Sequence, residues 1–119
     1  MPASDPATHL PLRPVDLQRL LALADDERHG YGLVQAIEQA TDGLVRLDPG
    51  NLYRVIKRLL ADGLVAESAR RDVAEAGSER RRYYRITALG QRVLAAELRR
   101  LRALLASPAA RTVERGWAT

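Results

Sequence analysis

The 119-residue sequence has no cysteine, no phenylalanine, one tryptophan and a single lysine, Lys57. Without thiols there can be no disulfide, no thiolate zinc site and no cysteine nucleophile. No apolar run approaches the ~20 residues that a bilayer-spanning helix needs. The opening MPASDPATHLPLRP lacks the charged-then-apolar layout of a signal peptide, so the expectation is a soluble protein of the cytoplasm, with no membrane association. No nucleophile–base pair, metal-ligand cluster or phosphate loop stands out. The two histidines have no cysteine partners, and Gly30-x-Gly32 is too short a pattern for a nucleotide loop. The chain therefore reads as a non-enzyme without metal or cofactor.

What is present is an ordinary globular composition, 46% hydrophobic and 29% charged, at a length that fits one domain. The charge is unevenly placed. Residues 1–47 carry 4 Arg against 7 Asp and Glu, while residues 48–119 carry 15 Lys and Arg against 8 acids. The modest total of +4 thus conceals an acidic first part and a strongly basic remainder, an asymmetry that suggests a polyanionic partner on one face. Nearly all positive charge is arginine, which fits either a compositional bias of the source genome or selection for guanidinium chemistry.

Residues 1–13 hold three prolines and no periodicity, and read as a flexible arm. Pro14 suits a first helical turn, and Leu17, Leu20, Leu21 and Ala24 recur at helical spacing up to the acidic stop Asp25-Asp26-Glu27. A second helix is predicted from Gly30 to about Thr41, with Tyr31, Val34, Ile37 and Glu38 on one side, Leu33 widening the stripe, and His29 as a candidate cap. Asp42-Gly43 marks a turn, and Leu44–Leu47 is a linker that could pair as a small strand. The third helix has the clearest start: Asp48 as N-cap and Pro49 at the first helical position. Leu52, Val55, Ile56, Leu59 and Leu60 form its buried stripe, and Gly63 its C-cap.

After Gly63 the period changes. Leu64 to about Arg70 and Arg82 to Thr87 read as two strands around a polar loop, a β-hairpin with a long tip. Tyr83 and Tyr84 point to opposite faces, which places one of them in the core. Thr87 can cap a fourth helix to about Leu105, in which Gly90 is expected to be slightly weakening, by roughly 1 kcal/mol against alanine. Leu94, Leu98, Leu101 and Leu105 make a heptad-like seam, Pro108 ends the helix, and the rest reads as a frayed tail.

The expected fold is mainly α with a small β-hairpin: a winged helix-turn-helix plus a C-terminal dimerisation helix. Its divisions are an arm (1–13), the winged domain (14–87), the dimerisation helix (88–106) and a tail (107–119). In this arrangement the third helix suits the major groove of double-stranded DNA. Asn51 can pair bidentately with adenine, Arg54 or Arg58 with guanine, and Lys57 can meet phosphate. The hairpin carries Arg70, Arg71, Arg80, Arg81, Arg82 and Arg85 against Asp72, Glu75 and Glu79, a surplus suited to phosphates or a narrowed minor groove.

The stretches HGYGLVQAIE (29–38), LDPGNLYRVIKRLLADGLV (47–65) and RRRYYRITALG (80–90) resemble the PadR-like transcriptional regulators. The shared features are a His-Gly-Tyr opening of the second helix, Pro-Gly-x-Leu-Tyr before a Lys-Arg-Leu run, and a basic Tyr-Tyr-x-Ile-Thr strand. They occur in order over roughly residues 15–105. The resemblance implies a homodimer on a pseudo-palindromic operator, acting as a repressor, and the single terminal helix looks like the short subfamily. It also places Tyr31 and Tyr53 near the DNA backbone, although packing between the second and third helices is an equal reading for both. Departures are Asp48 where serine is frequent, Asn51 where Thr or Ser is frequent, and Arg54 where proline often stands. These bear on which operator is read.

The leucine seam could pack on its own domain or on a second subunit, and its place at the end of a small domain favours the second. Leu94, Leu98, Leu101 and Leu105 are therefore the expected dimer contacts. The resemblance allows a small-molecule effector, whose identity the residues do not reveal. The alternative function is a winged-helix protein-interaction module without specific DNA binding.

Overall fold

A computed structural model of the chain describes residues 5–71 and 82–117. Among the described residues, five α-helices and three strands follow in the order α1 (Pro14–Asp25), β1 (Arg28–His29), α2 (Gly30–Ala40), α3 (Leu52–Ala61), β2 (Val65–Arg71), β3 (Arg82–Ile86), α4 (Ala88–Leu105) and α5 (Pro108–Trp117). Single 3-10 turns at Pro6–His9 and Pro49–Asn51 precede α1 and α3. The strands form one antiparallel sheet in the order β1-β3-β2. Val65 stands opposite Ile86 and Glu67 opposite Tyr84, with an irregularity between Glu67 and Arg71.

The third strand is a correction. The linker Leu44–Leu47 does not pair; Arg28–His29 does, with Arg28 opposite Tyr84 and His29 opposite Tyr83. Two residues wedged between an acidic helix end and the start of α2 carry no periodicity, so their sequence gave no strand signal. The pairing covers the second edge of β3. It also explains why both tyrosines are buried: Tyr84 belongs to the core, and Tyr83 lies edge-on to the His29 ring at 5.3 Å.

The core draws on α1 to α4 and the wing: Leu20 and Leu23 of α1, Leu33, Val34 and Ile37 of α2, Leu52, Ile56 and Leu59 of α3, Leu64, Val65, Tyr84 and Ile86 of the wing, and Val93 and Leu94 of α4. Burying a leucine fully is worth about 2 kcal/mol, so these side chains fix the arrangement of the helices. On α1 the expected stripe is rotated, since Leu23 is buried while Ala24 is exposed. A leucine removes more apolar surface from water than an alanine does, and the larger residue decides the face.

Gly63 closes α3 at φ +76°, a left-handed turn that glycine adopts without strain. Thr87 then links both ends of the wing. Its Oγ1 accepts from Gly90 N–H at 3.0 Å, capping α4, and donates to the Gly63 carbonyl at 2.6 Å. Gly90 departs from its expected role. A Cβ there would stand 2.2 Å from the Leu64 carbonyl oxygen and 2.8 Å from Ile86 Cγ1. The glycine is what lets α4 sit against the wing, and alanine would not strengthen the helix.

Residues 5–13 and 107–117, the described parts of the expected arm and tail, carry more regular structure than their sequence suggests. Within the proposed arm, Leu10 and Leu12 pack against the core, and Leu12 N–H donates to Glu97 Oε2 of α4 at 2.8 Å. Prolines suppress regular periodicity but permit an extended strap. In the proposed tail, Ser107 Oγ accepts from Ala110 N–H at 3.2 Å and Pro108 opens α5. The proline that stops α4 is thus also a favourable first residue for the next helix.

Candidate nucleic-acid interface

The start of α2 is built around His29, Gly30 and Tyr31. His29 Nδ1 accepts from Gly32 N–H at 3.0 Å, capping the helix as expected. At Gly30 a Cβ would lie 2.7 Å from Leu52 Cδ2, so the missing side chain lets α3 begin directly against α2. Tyr31 follows and projects outward, 59% exposed. A His-Gly-Tyr sequence therefore caps, admits the neighbouring helix and presents a phenol, in that order.

The start of α3 is similarly local. Asp48 Oδ1 accepts from Gly50 N–H at 2.9 Å, which caps the short 3-10 turn rather than the α-helix itself. The turn delivers Leu52 to the core and leaves Asn51, Tyr53, Arg54 and Lys57 on the outer face, all exposed, with Tyr53 at 77%. Arg54 Nη2 donates to Asn51 Oδ1 one turn away, so the two polar side chains lie together. Nothing on this face is required by the core, which takes Leu52, Ile56 and Leu59 from the other side.

Arg58 is placed differently from its expected neighbours. Its Nη2 lies 2.8 Å from both Asp16 oxygens, and Arg19 Nη1 reaches the same carboxylate at 3.0 Å. Asp16 and Arg19 are buried residues of α1, and Arg58 thereby ties the third helix to the first. Burial pushes the Arg19 guanidinium below its usual pKa, against the opposing pull of Asp16. This triad was not found from the sequence. An Asp and an Arg one turn apart on α1 were the available signal, but their partner is 42 residues away.

On the wing, Arg82 is exposed at the start of β3, and Arg85 is exposed further along it. Arg80 and Arg81 lie outside the described residues. The leucine seam divides along α4: Leu94 is in the chain's own core and Leu98 packs partly against it. Leu101 is half-buried, and Leu104 and Leu105 are 55% and 62% exposed. The first half of α4 lies against α1 and cannot serve a second surface at Leu94. Val113 and Trp117 of α5 are exposed as well. Among the described residues there is no group of three potential metal-ligating side chains, and no helix is long and apolar enough to cross a membrane.

The chain is similar in sequence and in fold to known proteins. An uncharacterised protein of Lysinibacillus sphaericus is 33% identical over 75 residues, covering 63% of this chain and 66% of that protein. A transcriptional regulator from Clostridium thermocellum superposes with a TM-score of 0.64 at 24% identity, over 88% of this chain and 90% of that one. Bacillus subtilis PadR, solved in complex with operator DNA, superposes at 0.62 and 19% identity, over 74% of this chain but 47% of its own. The Lysinibacillus and Bacillus matches thus span less than two thirds of those proteins. These structural likenesses show the fold, a winged helix-turn-helix. The transcriptional regulator PadR-like family itself matches residues 20–96, well over half of the sequence, and the chain belongs to that family of transcription regulators, which are not enzymes.

Proposed function

We propose that the chain is a sequence-specific DNA-binding repressor that works in the cytoplasm as a homodimer on a pseudo-palindromic operator. The observation that carries the reading is the outer face of α3, where Asn51, Tyr53, Arg54 and Lys57 are exposed together and contribute nothing to the core. An α-helix fits the major groove, where Asn can read adenine and Arg can read guanine through paired hydrogen bonds. Tyr31 at the start of α2 and Arg82 on the wing flank that helix in sequence and suit phosphate contacts. Arg80 and Arg81 extend the basic wing. Arg58, bound to Asp16, serves to hold the helix at its angle, with its remaining donors available to DNA. The operator complex of Bacillus subtilis PadR supports the same use of this fold.

The dimer seam in this reading runs through Leu98, Leu101 and Leu105 of α4, beyond the Leu94 that the subunit keeps for itself. Two-fold symmetry then sets half-sites about one helical turn apart. A small molecule would act by altering the setting of α3. The test is binding to the DNA upstream of the chain's own gene at several salt concentrations. Specific binding that weakens steeply with salt supports the proposal. Binding that is absent or insensitive to salt overturns it in favour of a protein-interaction module.

A further inference from the structure

Asn51 stands just before α3, as the last residue of the 3-10 turn. Its side chain plays no part in capping the helix, and Asp48 supplies the acceptor for the turn. The Asn51 amide serves a neighbour instead: its Oδ1 accepts from Nη2 of Arg54, three residues on. Asn51 also borders the concavity between α3 and α1, with Val55 and Arg58 on its own side and Asp16 and Arg19 on the other. It thus sits on the flank of α3 that turns toward α1.

Arg54 is placed otherwise. At about 100° per residue it falls opposite the stripe of Leu52, Ile56 and Leu59, at the centre of the exposed face. Beyond it stands Lys57, also three residues away and of the same charge. An acceptor before it and a cation after it draw the guanidinium toward the N-terminal end of the helix. In helix-turn-helix proteins that end meets base edges. A long arginine side chain has many rotamers to lose, and a bidentate contact with guanine needs its planar fork fixed. The bond to Asn51 uses one of five N–H donors and leaves the others for a base and a phosphate.

We propose that Asn51 is a positioning residue: it orients Arg54 for guanine and reads no base itself. The claim rests on the DNA-binding function proposed above and divides the work within that face. Arg54 supplies the base contact, and Asn51 determines how sharply guanine is preferred there. Reading adenine would need Oδ1 and Nδ2 of Asn51 together at one base edge, whereas Oδ1 is turned along the helix to Arg54. An amide suits the task because it accepts as a carboxylate would, without setting a second negative charge near Asp48 at a surface that faces phosphate.

The test is selection of bound duplexes from a random-sequence pool by the full chain, followed by sequencing. Parent, Asn51→Ala, Asn51→Asp, Arg54→Ala and the double alanine variant are compared, with circular dichroism checking each fold. The parent is expected to enrich guanine at one position of its motif, and Arg54→Ala to erase that preference. Asn51→Ala should weaken it about threefold, the worth of one solvent-exposed hydrogen bond, and leave the other positions unchanged. Asn51→Asp keeps the acceptor and loses the amide donors, so it should retain the guanine preference at a lower overall affinity. In the Arg54→Ala background, Asn51→Ala should change nothing further. The assignment is overturned if Asn51→Ala removes an adenine preference or leaves guanine untouched, or if Asn51→Asp behaves as Asn51→Ala does. A parent that enriches no motif would instead overturn the sequence-specific function itself.

Discussion

Arg58 of α3 reaches Asp16 of α1 with its Nη2 at 2.8 Å from each carboxylate oxygen. The contact joins the helix that faces outward to the helix that anchors the core. Asp16 simultaneously compensates Arg19, whose guanidinium is buried beside it. Removing one partner of a buried charge pair leaves the other uncompensated, which is far costlier than the net worth of the pair.

Asp16→Ala is accordingly expected to destabilise the fold by about 3–5 kcal/mol, because it strands Arg19. Arg58→Ala removes a half-exposed partner and should cost about 1 kcal/mol, since solvent screens that side. Urea unfolding of the two single variants and the double variant checks both numbers. A double variant no worse than Asp16→Ala is the expected result, because Arg58 acts through Asp16.

Gly90→Ala should destabilise by at least about 2 kcal/mol, the opposite of what helix propensity alone gives. The added methyl meets the Leu64 backbone carbonyl, which the Thr87 amide holds at 3.0 Å and which cannot swing aside. Thermal unfolding of the variant measures it, and a gain in stability would show that α4 does not sit this close to the wing.

The strap at the N-terminus depends on one carboxylate. Arg100 chiefly, and then the Leu12 amide, hold the Glu97 carboxyl below its usual range, with burial opposing them. A depressed folded value means that the stabilisation is complete above the unfolded-state pKa near ~4.3 and is lost as pH falls through the folded value. Acidification should therefore release the strap. Glu97→Gln should lose about 1–3 kcal/mol at neutral pH and flatten the stability profile below about pH 5. Urea titrations of parent and variant across that range check the sign.

Leu101→Glu with Leu105→Glu should convert a dimer to a monomer without unfolding it, since Leu101 is only half-buried and Leu105 is exposed. Sedimentation equilibrium decides. An unchanged dimer would move the interface to another surface, with the exposed Val113 and Trp117 of α5 the first to examine.

Much of this molecule is legible in residue order because its signals are local. Asp48-Pro49 before α3, Gly63 after it and Thr87 before α4 are each satisfied within a few residues, and α3 keeps its apolar residues on one face. What the sequence concealed is long-range. The pairing of Arg28–His29 with β3, the bond from Leu12 to Glu97 and the Asp16–Arg58 tie each join segments with no shared period. The role of Gly90 was hidden for the same reason: its reason for being glycine is a carbonyl 26 positions earlier. The outer face of α3 was readable because exposed polar residues opposite a leucine stripe need no partner to be placed.

That outer face also provides the decisive measurement. Tyr53, Arg54 and Lys57 are all exposed, so replacing the three together with alanine should leave the fold intact by circular dichroism. Binding of the variant and the parent to the chain's own upstream DNA is compared across a series of salt concentrations. The account predicts that specific binding is lost and that the residual salt slope falls by about two, one for each lost cation at Arg54 and Lys57. Parent-like affinity with an unchanged salt slope would contradict it, because the third helix would then not be the surface that meets DNA.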